Sequence, residues 1–129
     1  DAITGSLLRA MNNNGLSLEC LHFSPTDSRK LVSVGSGAYQ WDVDSGKKTT
    51  MAEGGTFAVF SPDGRTITTA GYPCSGCPTD VVLVDAETGK IRLRLSGHRL
   101  RVYTAAFSVD GSKLASGSLD RACKVWDSS

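Results

Sequence analysis

Residues 102–127 read VYTAAFSVDGSKLASGSLDRACKVWD. Three short runs rich in Val, Ala and aromatic residues are separated by Asp, Gly and Ser, the residues that suit tight turns. The first run ends in Phe107-Ser108 and turns at Asp110-Gly111. The second, residues 113–117 (KLASG), turns at Asp120, and the third, residues 122–127 (ACKVWD), ends in Trp126-Asp127. Each run is strand-sized, so the stretch predicts three β-strands joined by turns.

Working outward from it, the same order recurs twice. Residues 18–25 (LECLHFSP) and 56–64 (TFAVFSPDG) each carry a strand ending in Phe-Ser. Residues 30–35 (KLVSVG) and 66–71 (TITTAG) supply second strands; residues 38–42 (AYQWD) and 80–85 (DVVLVD) supply third strands. Asp42 and Asp85 then open the turns DVDSG and DAETG, and residues 1–5 read DAITG. The spacings Asp1 to Asp42, Asp42 to Asp85 and Asp85 to Asp127 are 41, 43 and 42 residues. A fourth, alternating strand is expected after each turn, at residues 7–11, 48–52 and 91–95. In Ile91-Arg92-Leu93-Arg94-Leu95 the period of two is that of a half-exposed edge strand. The division is into three units, 1–42, 43–85 and 86–129, with an extra loop at 72–79 in the second. A fixed period of this length is the mark of a repeat architecture, here all-β.

Those residues resemble the WD40-repeat family of β-propellers, over essentially the whole chain. The third repeat shows it best, with Gly97-His98, Phe107-Ser108, Asp110-Gly111, Asp120 and Trp126-Asp127. The first keeps Phe23-Ser24-Pro25 and Trp41-Asp42; the second keeps Phe60-Ser61-Pro62-Asp63-Gly64 but has Val84-Asp85 in place of Trp-Asp. The resemblance implies a propeller segment of three four-stranded antiparallel units, each burying its faces by stacking on its neighbours. Propellers typically have about four to eight blades. Three repeats therefore imply further repeats in a larger propeller, or a second copy of the chain to close a ring.

The resemblance also implies site residues. A structural tetrad falls on His98, Ser116, Asp120 and Trp126. A histidine, an acid and a serine together also suit a hydrolytic triad, but the tryptophan and the turn register account for all of them structurally. The first repeat keeps Ser33 and Trp41 and lacks the acid; the second keeps Thr69 and lacks the tryptophan. The family's usual contact surface is the top face around the channel, which maps onto Ser17, Glu19, Gly54, Thr56, Arg101, Tyr103 and Leu119. A protein-interaction scaffold within a multiprotein assembly is the implied function. A self-associating half-propeller is the first alternative.

Composition agrees with this and narrows the rest. Fourteen glycines in 129 residues, about 11%, exceed the usual ~7% and suit short strands with tight turns. Fourteen Lys and Arg stand against 13 Asp and Glu, a net charge of +1, so the whole chain has no bias toward nucleic acid or anionic membrane. No apolar run reaches the ~18–20 residues that cross a bilayer. The chain opens on Asp1 without a leader, and is expected to be a piece of a longer polypeptide. Four irregularly spaced cysteines point to a reducing, cytoplasmic compartment.

Other residue groups have competing readings. Cys74 and Cys77, in YPCSGCPT, are a solvated loop with two thiols, half of a zinc site completed from elsewhere, or a redox pair. Zinc needs four ligands and no second pair exists here; a redox pair needs a helix N-terminus, and none follows. No metal, cofactor or enzymatic activity is therefore expected. Cys20 and Cys123 should be small buried residues within strands. Lys90, Arg92, Arg94, Arg99 and Arg101 divide between an outer strand and a top-face loop and lack interleaved aromatics, against a nucleic-acid track. His22, beside a strand end, reads as structural.

Overall fold

The computed structural model describes residues 4–12, 17–35, 37–53, 55–70 and 79–129. Among them there is no helix. Strands β1 (Leu18–Phe23), β2 (Lys30–Gly35), β3 (Gly37–Asp42) and β4 (Lys48–Glu53) form one antiparallel sheet in chain order. Strands β5 (Ala58–Phe60), β6 (Thr66–Ala70), β7 (Val81–Asp85) and β8 (Ile91–Leu95) form a second. Strands β9 (Val102–Phe107), β10 (Lys113–Ser118) and β11 (Cys123–Asp127) form a third, three-stranded sheet.

The turns follow from local chemistry. After β3, Asp42 Oδ1 accepts the Ser45 backbone N–H at 2.7 Å; after β7, Asp85 Oδ1 accepts that of Thr88 at 2.8 Å. Gly46 and Gly89 then take φ of 72° and 70°, a left-handed turn that other residues resist. The third sheet turns from β9 to β10 around Asp110, whose Oδ1 accepts from Ser108 Oγ at 2.6 Å and the Ser112 N–H at 3.0 Å.

The sheets stack face to face, and the second lies between the other two. Val32, Val34, Phe60, Ile67, Val82 and Val84 fill one interface. Phe57, Val81, Leu83, Val102, Ala105 and Leu114 fill the other. Strand β7 is buried on both faces, which is why Val81-Val82-Leu83-Val84 is continuously apolar and does not alternate. Thr56 Oγ1 donates to the Val102 carbonyl, tying the second sheet to the start of the third.

Position in the stack decides burial at equivalent residues. Phe60 faces the first sheet and is 4% exposed, whereas Phe23 is 56% exposed. By register Phe23 lies on the face of the first sheet that points away from the second.

Two expectations are corrected. Residues 7–11 do not form a strand, and Leu7 is 81% exposed. An outermost strand needs the edge of a third strand to pair with, and none precedes residue 7 among the described residues. Cys123 is exposed and Cys20 only half-buried. Strand β11 is a sheet edge, and Cys123 and Val125 alternate with Trp126, so they point away from the stack. Cys20 is half-buried against the first interface, its Sγ 3.7 Å from the Ala58 carbonyl.

Candidate functional site

The third sheet carries a relay of four polar side chains. Trp126 Nε1 donates to Ser116 Oγ at 2.7 Å, and Ser116 Oγ lies 2.8 Å from His98 Nε2. His98 Nδ1 lies 2.8 Å from Asp120 Oδ2. One proton assignment satisfies every atom: Ser116 donates to Nε2, and Nδ1–H donates to the carboxylate. Ser116 and His98 are buried, so their pairing avoids the cost of desolvated polar groups. The His98 ring meets Trp126 edge-on, with centroids 6.0 Å apart. Asp120 also accepts the backbone N–H groups of Arg99 and Ala122, each at 3.0 Å. These donors, Arg99 foremost and then the His98 imidazole, hold its carboxyl well below the ordinary range despite partial burial.

The first two sheets carry partial versions. Trp41 Nε1 donates to Ser33 Oγ at 2.7 Å. In the second sheet the buried Thr69 hydroxyl has no hydrogen-bond partner among the described residues.

At the mouth of the stack, residues from the first and third sheets meet. Arg101 Nη2 donates to Glu19 Oε2 at 3.3 Å, between residues 82 positions apart in the chain. The Arg101 guanidinium lies 5.2 Å from the centre of the Tyr103 ring. The Leu119 N–H donates to the Arg101 carbonyl at 2.9 Å. Tyr103 and Leu119 are 47% and 50% exposed. Ser17 is exposed, and its carbonyl packs so tightly on Gly35 that a Cβ there would stand 2.0 Å from it. Thr56 is buried in its bond to Val102, so it is not part of the exposed rim. Gly54 lies outside the described residues, as do Cys74 and Cys77.

The remaining groups are dispersed. Arg92 Nη1 donates to Thr66 Oγ1 at 3.0 Å on the outer edge of the second sheet, while Arg99 and Arg101 stand in the loop before β9. His22 is exposed, its ring 6.3 Å from that of Phe60. Among the described residues no three His, Cys, Asp or Glu side chains gather as metal ligands, and no helix is long and apolar enough to cross a membrane.

One residue was not singled out from the sequence. Arg121, at the β10–β11 turn, has φ of 66°, the left-handed region that a residue with a Cβ rarely enters. The signal was the turn SLDRA, which has no glycine to take that conformation.

The model of the WD40 family, "WD domain, G-beta repeat", matches residues 89–127. The chain is 30% identical to the LEC14B homolog of Prunus armeniaca over 141 aligned positions, which span 98% of this chain and 29% of that protein. It is 30% identical to Protein tipD of Dictyostelium discoideum over 84% of this chain and 18% of that protein. Among solved structures, the "Crystal structure of RRP9 WD40 repeats" superposes with a TM-score of 0.81 at 24% identity, over 93% of this chain and 38% of that one. The chain thus spans less than a third of the length of these two curated relatives. WD40-repeat proteins act in general as protein-interaction scaffolds and in general are not enzymes. With three stacked antiparallel sheets and the family's repeat in the third, the chain belongs to the WD40-repeat β-propeller family.

Proposed function

We propose that the chain is a propeller platform that holds other proteins in a multiprotein assembly, and that its contact surface is the rim where the first and third sheets meet. The observation that carries this is the convergence of Glu19, Arg101, Tyr103 and Leu119. Two large apolar side chains, about half exposed, flank an ion pair that joins non-adjacent sheets. Aromatic and arginine side chains at such positions are common anchors of protein interfaces. The reading includes the repeat division at 42/43 and 85/86. It places the protein in the cytoplasm, in keeping with free thiols at Cys20 and Cys123.

A catalytic role is not part of it. Ser116 is buried against the Trp126 indole, and both ring nitrogens of His98 are engaged, which leaves no exposed nucleophile in that relay. The test is co-purification from cells with wild type and with Tyr103→Ala plus Leu119→Ala. Partners held by wild type should be lost from the variant while its thermal melt is unchanged. Retention of every partner would sink the reading.

Self-association is the second reading, favoured by a specific feature. Leu21 and Phe23 are exposed side by side on β1, and among the described residues the β11 edge has no strand beside it. Such edges and faces invite pairing with another chain. Sedimentation over a concentration series should show association that Phe23→Ser reduces; a monomer at all concentrations would exclude it.

A further inference from the structure

Resting on that platform reading, the rim's chemistry names the kind of partner segment it takes. The loop before β9 and the β10–β11 turn are zipped together. Ser118 Oγ donates to the Leu100 carbonyl at 2.8 Å, the Leu119 N–H donates to the Arg101 carbonyl at 2.9 Å, and Asp120 accepts the Arg99 N–H at 3.0 Å. These bonds hold Arg99, Arg101 and Arg121 on one rigid rim. Asp120 is already satisfied by three donors, two of them backbone. Arg99 and Arg121 are exposed and have no acidic partner among the described residues.

Arg101 is the unusual member. Its pair with Glu19 is a single long contact of 3.3 Å, and its Nε–H is enclosed with no acceptor. An arginine fork binds a carboxylate best through two parallel N–H donors, so this guanidinium is under-used. We propose that the rim docks an acidic, leucine-containing segment of a partner protein, with Glu19 as a placeholder that the partner's carboxylate displaces from Arg101. The displaced arrangement would replace the long Glu19 contact with a charge-assisted bond from Nη2 to the partner's carboxylate. The half-exposed Leu100, Leu119 and Tyr103 supply the apolar contact. A single aromatic ring, and a carboxylate at the centre of the rim, fit a peptide better than the stacked bases and phosphates of a single-stranded RNA.

Arg121 supports the same conclusion independently. An arginine in left-handed backbone carries strain that glycine would relieve, and such strain gathers at functional sites. Here it presents a cation at the rim.

The test uses the purified full-length protein and fluorescence anisotropy. Three probes are compared: a short labelled peptide rich in Asp, Glu and Leu, its Asn/Gln/Leu counterpart, and an oligouridylate of equal charge. The acidic peptide should bind, more weakly as salt is added, and its neutral counterpart should not. Glu19→Gln should tighten binding by about two- to fivefold, because it removes the internal competitor. Arg101→Gln should weaken it by about fivefold or more, and Arg121→Gly by about twofold with a raised melting temperature. If Arg101→Gln fails to fold, the Glu19 and Arg121 variants decide the matter. The proposal is overturned if Glu19→Gln weakens binding or leaves it unchanged, if the neutral peptide binds equally, or if the RNA binds more tightly. The platform reading is judged separately: loss of co-purifying partners from the Tyr103 and Leu119 variant upholds it even where the acidic peptide fails.

Discussion

Ser116 lies between the buried His98 ring and the half-buried Trp126 indole, 2.7 Å from Trp126 Nε1 and 2.8 Å from His98 Nε2, whereas Ser33 is given only the Trp41 indole among the described residues. Ser116→Ala therefore orphans two groups and Ser33→Ala one. At about 1–3 kcal/mol for each buried polar group left unpaired, Ser116→Ala should be the more destabilising by about that much. Denaturant midpoints of the two variants check this; equal shifts would contradict it.

Phe23 and Phe60 hold the same place in their repeats and differ in burial. Phe60→Ala should cost about 3–5 kcal/mol, the usual range for a buried aromatic. Phe23→Ala should cost about 1 kcal/mol or less in dilute monomer, as suits a half-exposed side chain. Urea unfolding at low and high protein concentration separates the cases. A Phe23→Ala penalty that grows with concentration would show that a second copy covers that face.

Acid should loosen the turns and the relay together. Asp110 is drawn down to about 2, first by the Ser108 hydroxyl and then by the Ser112 N–H. Asp120, Asp63 and Asp85 are also lowered by their donors. A carboxyl with a depressed folded pKa stabilises the fold above its unfolded pKa, about 3.9, and loses that contribution as pH falls through the folded value. Stability should therefore be insensitive to these groups from about pH 7 to 5 and fall from about pH 4 to 2. Asp120→Asn should flatten part of that fall in a pH series of chemical denaturation. A wild-type profile unchanged down to pH 2 would refute it.

Arg121→Gly should raise stability by about 1 kcal/mol, since glycine enters the left-handed region without the Cβ penalty, offset in part by its greater unfolded freedom. A differential scan that shows a lower melting temperature would mean that the Arg121 side chain makes a stabilising contact.

Local chemistry is what the sequence by itself determined. The Phe-Ser strand ends, the Asp-opened turns with Gly46 and Gly89, and the period between Asp42, Asp85 and Asp127 could all be read directly, because strands and turns depend on neighbours within a few residues. Tertiary structure decided what stacking controls. Phe60 is buried and Phe23 exposed, and Cys123 is exposed although it sits in a strand like the buried Val82, because burial depends on which sheet lies alongside. Residues 7–11 stand where the repeat calls for a fourth strand, yet form none, because a strand exists only where another offers it hydrogen bonds. The Arg101–Glu19 pair and the left-handed Arg121 were equally out of reach of local patterning. The first joins residues 82 positions apart, and the second is held at a turn where two loops are bonded to each other.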